Sequence, residues 1–155
     1  MKRLFFLIIF SIMFVLSGHI NPETNYKITV PGNRDWIYTG IVLKSSDSVA
    51  ITAKGRVCFH NGVINSCIGA NGWPQQSYSH IFFHDSITSD DPLPEKGHAG
   101  LIARIGSNIF FVGSKKTFSK KNGPLFLGIN DCTFTGNYFN TGRFYVSIEI
   151  KQNSN

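Results

Sequence analysis

The stretch Leu125-Phe126-Leu127-Gly128-Ile129-Asn130-Asp131, taken with Asn140-Thr141-Gly142-Arg143-Phe144, decides how this chain reads. An apolar strand runs directly into an Asn-Asp pair. A polar loop follows, then Asn-Thr-Gly, then a second strand from Phe144 to Ile150 in which apolar and polar residues alternate. Alternation with a period of two marks a strand with one face buried. The oxygen-bearing side chains between the two strands have two readings. Asn and Asp stabilise turns by bonding to nearby backbone, which makes the segment an ordinary hairpin. The same oxygens are what a hard cation such as calcium takes as ligands, and a loop at the rim of a β-sandwich is a common place to hold a sugar.

Outward from this segment the chain keeps the same character. With 14 Phe and 15 Gly in 155 residues and few Leu-Ala-Glu helix patterns, it favours strands and turns. Strands are predicted at Tyr26–Val30, Trp36–Leu43, Ser48–Ala53, Arg56–His60, Leu101–Ile105, Ile109–Val112, Lys116–Ser119, Pro124–Ile129 and Arg143–Ile150. Gly40 reads as a bulge or a close approach, and Lys54-Gly55 as a turn. The stretch Asn61–His98 reads as irregular apart from a short strand at Ile81-Phe82-Phe83. A loop of that length in a compact domain is usually functional. These elements predict one all-β domain over 24–151, a β-sandwich or jelly roll.

The N-terminus points to export. Lys2-Arg3 is followed by an apolar run, Leu4–Leu16, and by small residues at Ser17-Gly18. This is the layout of a secretory signal over 1–18, and the run is short for a membrane span. An uncleaved anchor is the rival reading. The expected mature protein is secreted or periplasmic, with no stable span. Without Lys2 and Arg3 the 15 basic residues become 13 against 9 acidic ones, a net charge of +4. Lys115-Lys116 and Lys120-Lys121 read as solvated hairpin positions. No aromatic or arginine cluster accompanies them, so a nucleic-acid partner is not expected.

Cys58, Cys67 and Cys132 allow one disulfide in an oxidising compartment. Cys58–Cys67 closes the shorter loop and is the first choice, worth about 3 kcal/mol in the chain-entropy account. Pairings with Cys132 stay open. The Cys and His spacings do not suggest zinc.

Several motifs recur in a telling order: Trp36-Ile37-Tyr38-Thr39-Gly40-Ile41, Asp47–Gly55, Gly69-Ala70-Asn71-Gly72-Trp73-Pro74, Ala99–Gly106, Phe111-Val112-Gly113-Ser114, Gly123–Asp131 and Asn140–Val146. In this order and spacing the chain resembles the bacterial PA-I type galactophilic lectin family over Trp36 to Ile150. The resemblance implies a galactose-binding-like jelly-roll sandwich that takes galactosides through calcium. It places metal ligands on Asp131 and Asn140, with backbone carbonyls near Phe59 and near Phe134 or Thr135. Phe139 falls where the family has a further side-chain oxygen, and Asn137 is the residue that a rewired loop would offer instead. The sugar-contacting segment of the family falls on Pro74–Tyr78, which contains Gln76 but no His. His84 lies further along and is the substitute. Asp131, Asn140, Trp73, Gln76 and His84 are therefore the expected sugar-binding residues. Weak single-site affinity would call for several copies acting together, hence an expected homo-oligomer.

The remaining residues have plainer readings. Trp36 reads as core, whereas Trp73 reads either as a sugar-stacking ring or as a cap on the sandwich. His80 and His84 lie four apart on an extended segment, roughly 13 Å from one another, too far to share a metal. Asp85, Asp90, Asp91 and Glu95 contain two carboxylates that glycoside hydrolysis would need, but they sit in a turn-like run and no nucleophile motif accompanies them. A binding protein rather than an enzyme is expected. A sandwich that has lost its sugar site and serves as a structural or protein-interaction module is the alternative.

Overall fold

The computed structural model describes residues 23–60, 65–74, 91–131 and 140–152. Those residues form nine strands and no helix: β1 (Glu23–Pro31), β2 (Trp36–Leu43), β3 (Asp47–His60), β4 (Asn65–Ile68), β5 (Leu101–Ile105), β6 (Asn108–Phe111), β7 (Lys115–Ser119), β8 (Gly123–Ile129) and β9 (Thr141–Gln152). They make two antiparallel sheets. One runs β1-β9-β3-β4, with β7 also on β3. The other runs β2-β8-β5-β6. The expected all-β sandwich is what the chain forms.

Alternation along β9 explains the layering. Phe144, Val146, Ile148 and Ile150 are buried while Arg143, Tyr145 and Ser147 face out. The inward residues meet Leu125, Leu127 and Ile129 of β8 and Leu101, Ala103 and Ile105 of β5 in a single core. Burial of such side chains, about 1.5–3 kcal/mol each, is what holds the sheets together. The same period fixes register, because a one-residue slip would turn every core side chain to solvent.

Two expectations change here. The predicted turn at Lys54-Gly55 does not exist: β3 runs unbroken from Asp47 to His60 against β9. Gly55 and Gly142 take positive φ within that continuous ladder, at 105° and 78°. A side chain at either would press on the facing strand's backbone, at Arg143 O and Arg56 O respectively. Second, Trp36 is not core. It lies half-buried on the outer face of the four-stranded sheet, over Gly128, with the Arg104 guanidinium 5.2 Å from its ring centre. A glycine in the neighbouring strand leaves a gap that a large ring covers. At Gly40 the β2–β8 register shifts between Tyr38 and Val42, so the glycine marks a bulge. β4 pairs with β3 in the stretch that was expected to be irregular. Cys58 and Cys67 face each other in that pair and are joined as a disulfide.

Candidate functional site

The ends of β8 and β9 and the start of β5 converge at one rim of the sandwich. β8 is followed by Asn130 and Asp131, Asn140 precedes β9, and the Asp91–Gly100 loop leads into β5, which pairs with β8. Five polar side chains meet here, and Asp91, His98, Asn130, Asp131 and Asn140 are each no more than 4% exposed. Polar groups buried to this extent must satisfy one another.

Asn130 pins the loop. Its Oδ1 accepts the Leu93 N–H at 2.9 Å, and its Nδ2 donates to Leu93 O at 3.0 Å and Gly97 O at 3.2 Å. Its backbone extends the β5–β8 ladder, donating to Gly100 O and accepting from the Ala99 N–H. Ala99 takes a left-handed φ of 57°, a conformation that costs an L-residue roughly 1–2 kcal/mol. The strain sits beside His98 and turns the chain from the loop into β5.

His98 lies between two carboxylates. Nδ1 is 3.0 Å from Asp91 Oδ2, and Nε2 is 3.8 Å from Asp131 Oδ1. Burial is the largest single influence on its ionisation and opposes the charge. The hydrogen bond to Asp91 and the charges of Asp131 and Asp91 together outweigh it, so the pKa is raised above the ordinary histidine value. Asp131 in turn accepts from Asn140 Nδ2 at Oδ2, 2.7 Å away. The chain of contacts Asp91–His98–Asp131–Asn140 thus joins three separate segments.

Asp131 and Asn140, expected to share a site, are in direct contact. Trp73 reaches the same rim by a backbone pair with His98: its N–H donates to His98 O at 2.7 Å, and His98 N–H returns to Trp73 O at 3.0 Å. The ring is partly buried against the core. Phe59 pairs with Ser66 within the β3–β4 ladder. Gln76, His84, Thr135 and Asn137 lie outside the described residues, as do Cys132 and Phe139. Asp91, read from sequence as a turn acid, is instead a buried histidine partner, and Glu95 is exposed. His98 was not anticipated as a site residue, Asn130 was read only as part of the Asn-Asp pair after β8, and Asp91 only among the turn carboxylates. The sequence signal was the position of His98 immediately before β5, which an antiparallel neighbour brings level with the end of β8.

Ligand atoms of Asp91, His98 and Asp131 lie within 4.8 Å of one another. Asp131 and Asn140 supply the hard oxygens that calcium prefers, the amide once turned to present Oδ1. To that extent the residues fit such an ion. His98 is the member that does not belong to an oxygen cage.

Neither a protein-family model nor a curated protein matches the chain. Among solved structures it is similar to one described as "EclA N-terminal domain; PllA-like lectin", with a TM-score of 0.54 and 21% identity over 83% of this chain and 96% of that one. The likeness carries the fold alone, a two-sheet β-sandwich.

Proposed function

We propose that the protein is a carbohydrate-binding, lectin-like domain that acts by recognition rather than catalysis, exported to the cell exterior or periplasm. The observation that carries this reading is the meeting of Asp131 and Asn140, from the ends of β8 and β9, at a buried corner of the rim. The resemblance to galactophilic lectins and the similarity to a lectin structure support it. In the finer form of the proposal the ligand is a galactoside and the corner holds calcium. Asp131 and Asn140 would hold the ion, which when bound supplies coordination to two sugar hydroxyls. Asn130 keeps the Asp91–Gly100 loop against β8, and Trp73 lies beside the corner as the ring available to a sugar.

A second reading is favoured by one feature. His98 lies between Asp91 and Asp131, and its pKa is raised by them, so when protonated it balances carboxylate charge without a metal. On that reading the corner is a structural clasp in an interaction module. Thermal melts in calcium and in chelator separate the two. At 100 times Kd an ion that binds only the folded chain stabilises it by about 2.7 kcal/mol, so the midpoint should rise with calcium and rise further with galactose. An unchanged midpoint, with silence on a glycan array in calcium, overturns the lectin reading and leaves the clasp.

A further inference from the structure

The outer face of the five-stranded sheet is a second candidate surface, segregated by charge. Register places Lys27, Ser147, Thr52 and Lys115 in one row across β1, β9, β3 and β7, and Thr29, Tyr145 and Lys54 in the next. Beyond them Arg143 stands directly opposite Arg56. Like charges facing each other across strands are unfavourable, and these three rows hold five cations and no carboxylate. Arg56 bends part of its guanidinium onto the Cys67 carbonyl. The acids of this face stand at the far end of the sheet, where Glu149 and Glu23 lie 3.2 and 3.8 Å from Lys151.

At the centre of the cations lies a shallow depression of about 320 Å³. It is lined by Lys27, Thr29, Thr52, Lys54, Tyr145 and Ser147, together with Ile28 and Val146. That volume is at the small end of ligand pockets, about 300–1,000 Å³. Tyr145 is 60% exposed, which leaves its ring open to a ligand. Strand spacing sets the Lys27 and Lys54 backbones on the order of 12 Å apart, one on each side of the Tyr145 strand.

We infer that this face binds an acidic polysaccharide, with one sugar unit over Tyr145 and its carboxylate or sulfate groups between the flanking lysines and arginines. A sugar ring has an apolar face for the phenol and hydroxyls for the two threonines and the serine. Single-stranded nucleic acid would instead call for several stacking rings along the groove, and the depression has one. A membrane surface would make no use of the hydroxyl cluster.

The test is performed in chelator, so that the rim contributes nothing through calcium. The mature protein is run in affinity electrophoresis against dextran sulfate, polygalacturonate and neutral dextran at about 50 mM salt, where phosphate- or sulfate-type attraction is little screened. Retention by at least one of the two polyanions, and none by neutral dextran, is expected. Lys27→Ala with Lys54→Ala should weaken it about tenfold or more, and Tyr145→Ala about threefold or more, as expected for losing charged contacts and a stacked ring. All three side chains are exposed, and an unchanged melting midpoint would show the variants folded. Asp131→Asn should leave retention unchanged, which separates this face from the lectin corner. No retention by either polyanion overturns the inference. So does retention that ignores the lysine substitutions. Tyr145→Ala without effect, together with equal capture by phosphatidylglycerol vesicles or a DNA oligonucleotide, also overturns it, because it reduces the face to undirected charge.

Discussion

His98 sits where two opposing forces meet. Desolvation argues against its charge, and the paired carboxylates of Asp91 and Asp131 argue for it more strongly, which raises its pKa. The sign of the consequence follows by linkage. A group whose pKa is higher in the folded state than in the unfolded chain stabilises the fold fully below the unfolded value, about 6.5 for histidine. That stability is lost as pH rises through the folded value. Urea unfolding across this window should therefore show wild-type stability falling relative to His98→Gln as pH increases, with the difference levelling off above the folded pKa. A constant difference would mean that His98 binds its proton equally in the folded and unfolded chain. Asp131 and Asn140 were legible in the sequence because the Asn-Asp end of β8 and the Asn-Thr-Gly start of β9 are local patterns. His98 and Asp91 were not, because their role depends on β5 lying beside β8, a pairing between residues distant along the chain. Gln76, His84, Thr135 and Asn137 remain expectations from resemblance alone.

At the scale of elements, β3 and β9 show what alternation can and cannot convey. Val49, Ile51 and Ala53 announced one inward face, as did Phe144, Val146, Ile148 and Ile150, and the pairing follows from them. The Lys54-Gly55 pair looked like a chain reversal because glycine after a polar residue is a common turn signal. The competing fact was tertiary: the glycine lies within a continuous ladder against β9, where it leaves room for Arg143 O, as Gly142 on the facing strand leaves room for Arg56 O. Trp36 was misplaced for a related reason. Its size suggested the core, but the empty position at Gly128 in the next strand gave it cover on the outer face. Gly142→Ala should destabilise the domain by about 2–4 kcal/mol, since it combines a left-handed φ with a collision against Arg56 backbone. Gly40→Ala shares the positive φ, at 79°, but meets nothing within 4 Å. It should cost only about 1–2 kcal/mol. Chemical denaturation of the two variants side by side checks the contrast, and equal losses would remove the steric part of the explanation.

For the whole molecule, the two sheets divide their labour. The rim gathers buried polar side chains from both, while the outer face of the larger sheet gathers positive charge. If the proposed lectin-like role holds, shallow sites gain useful strength when several are presented at once, which motivates the further proposal that the chain self-associates. Sedimentation velocity at micromolar concentration should find a species larger than one chain, and a single monomeric boundary would refute that proposal. No helix among the described residues is long and apolar enough to cross a membrane.

The two tryptophans have one further consequence. Trp73 shares a backbone pair with His98, whereas Trp36 lies on β2 beside Arg104. With Trp36 replaced by Phe, indole emission would come from the rim alone. The protein then carries its own optical reporter, one whose colour and intensity follow what happens beside His98 without any attached dye.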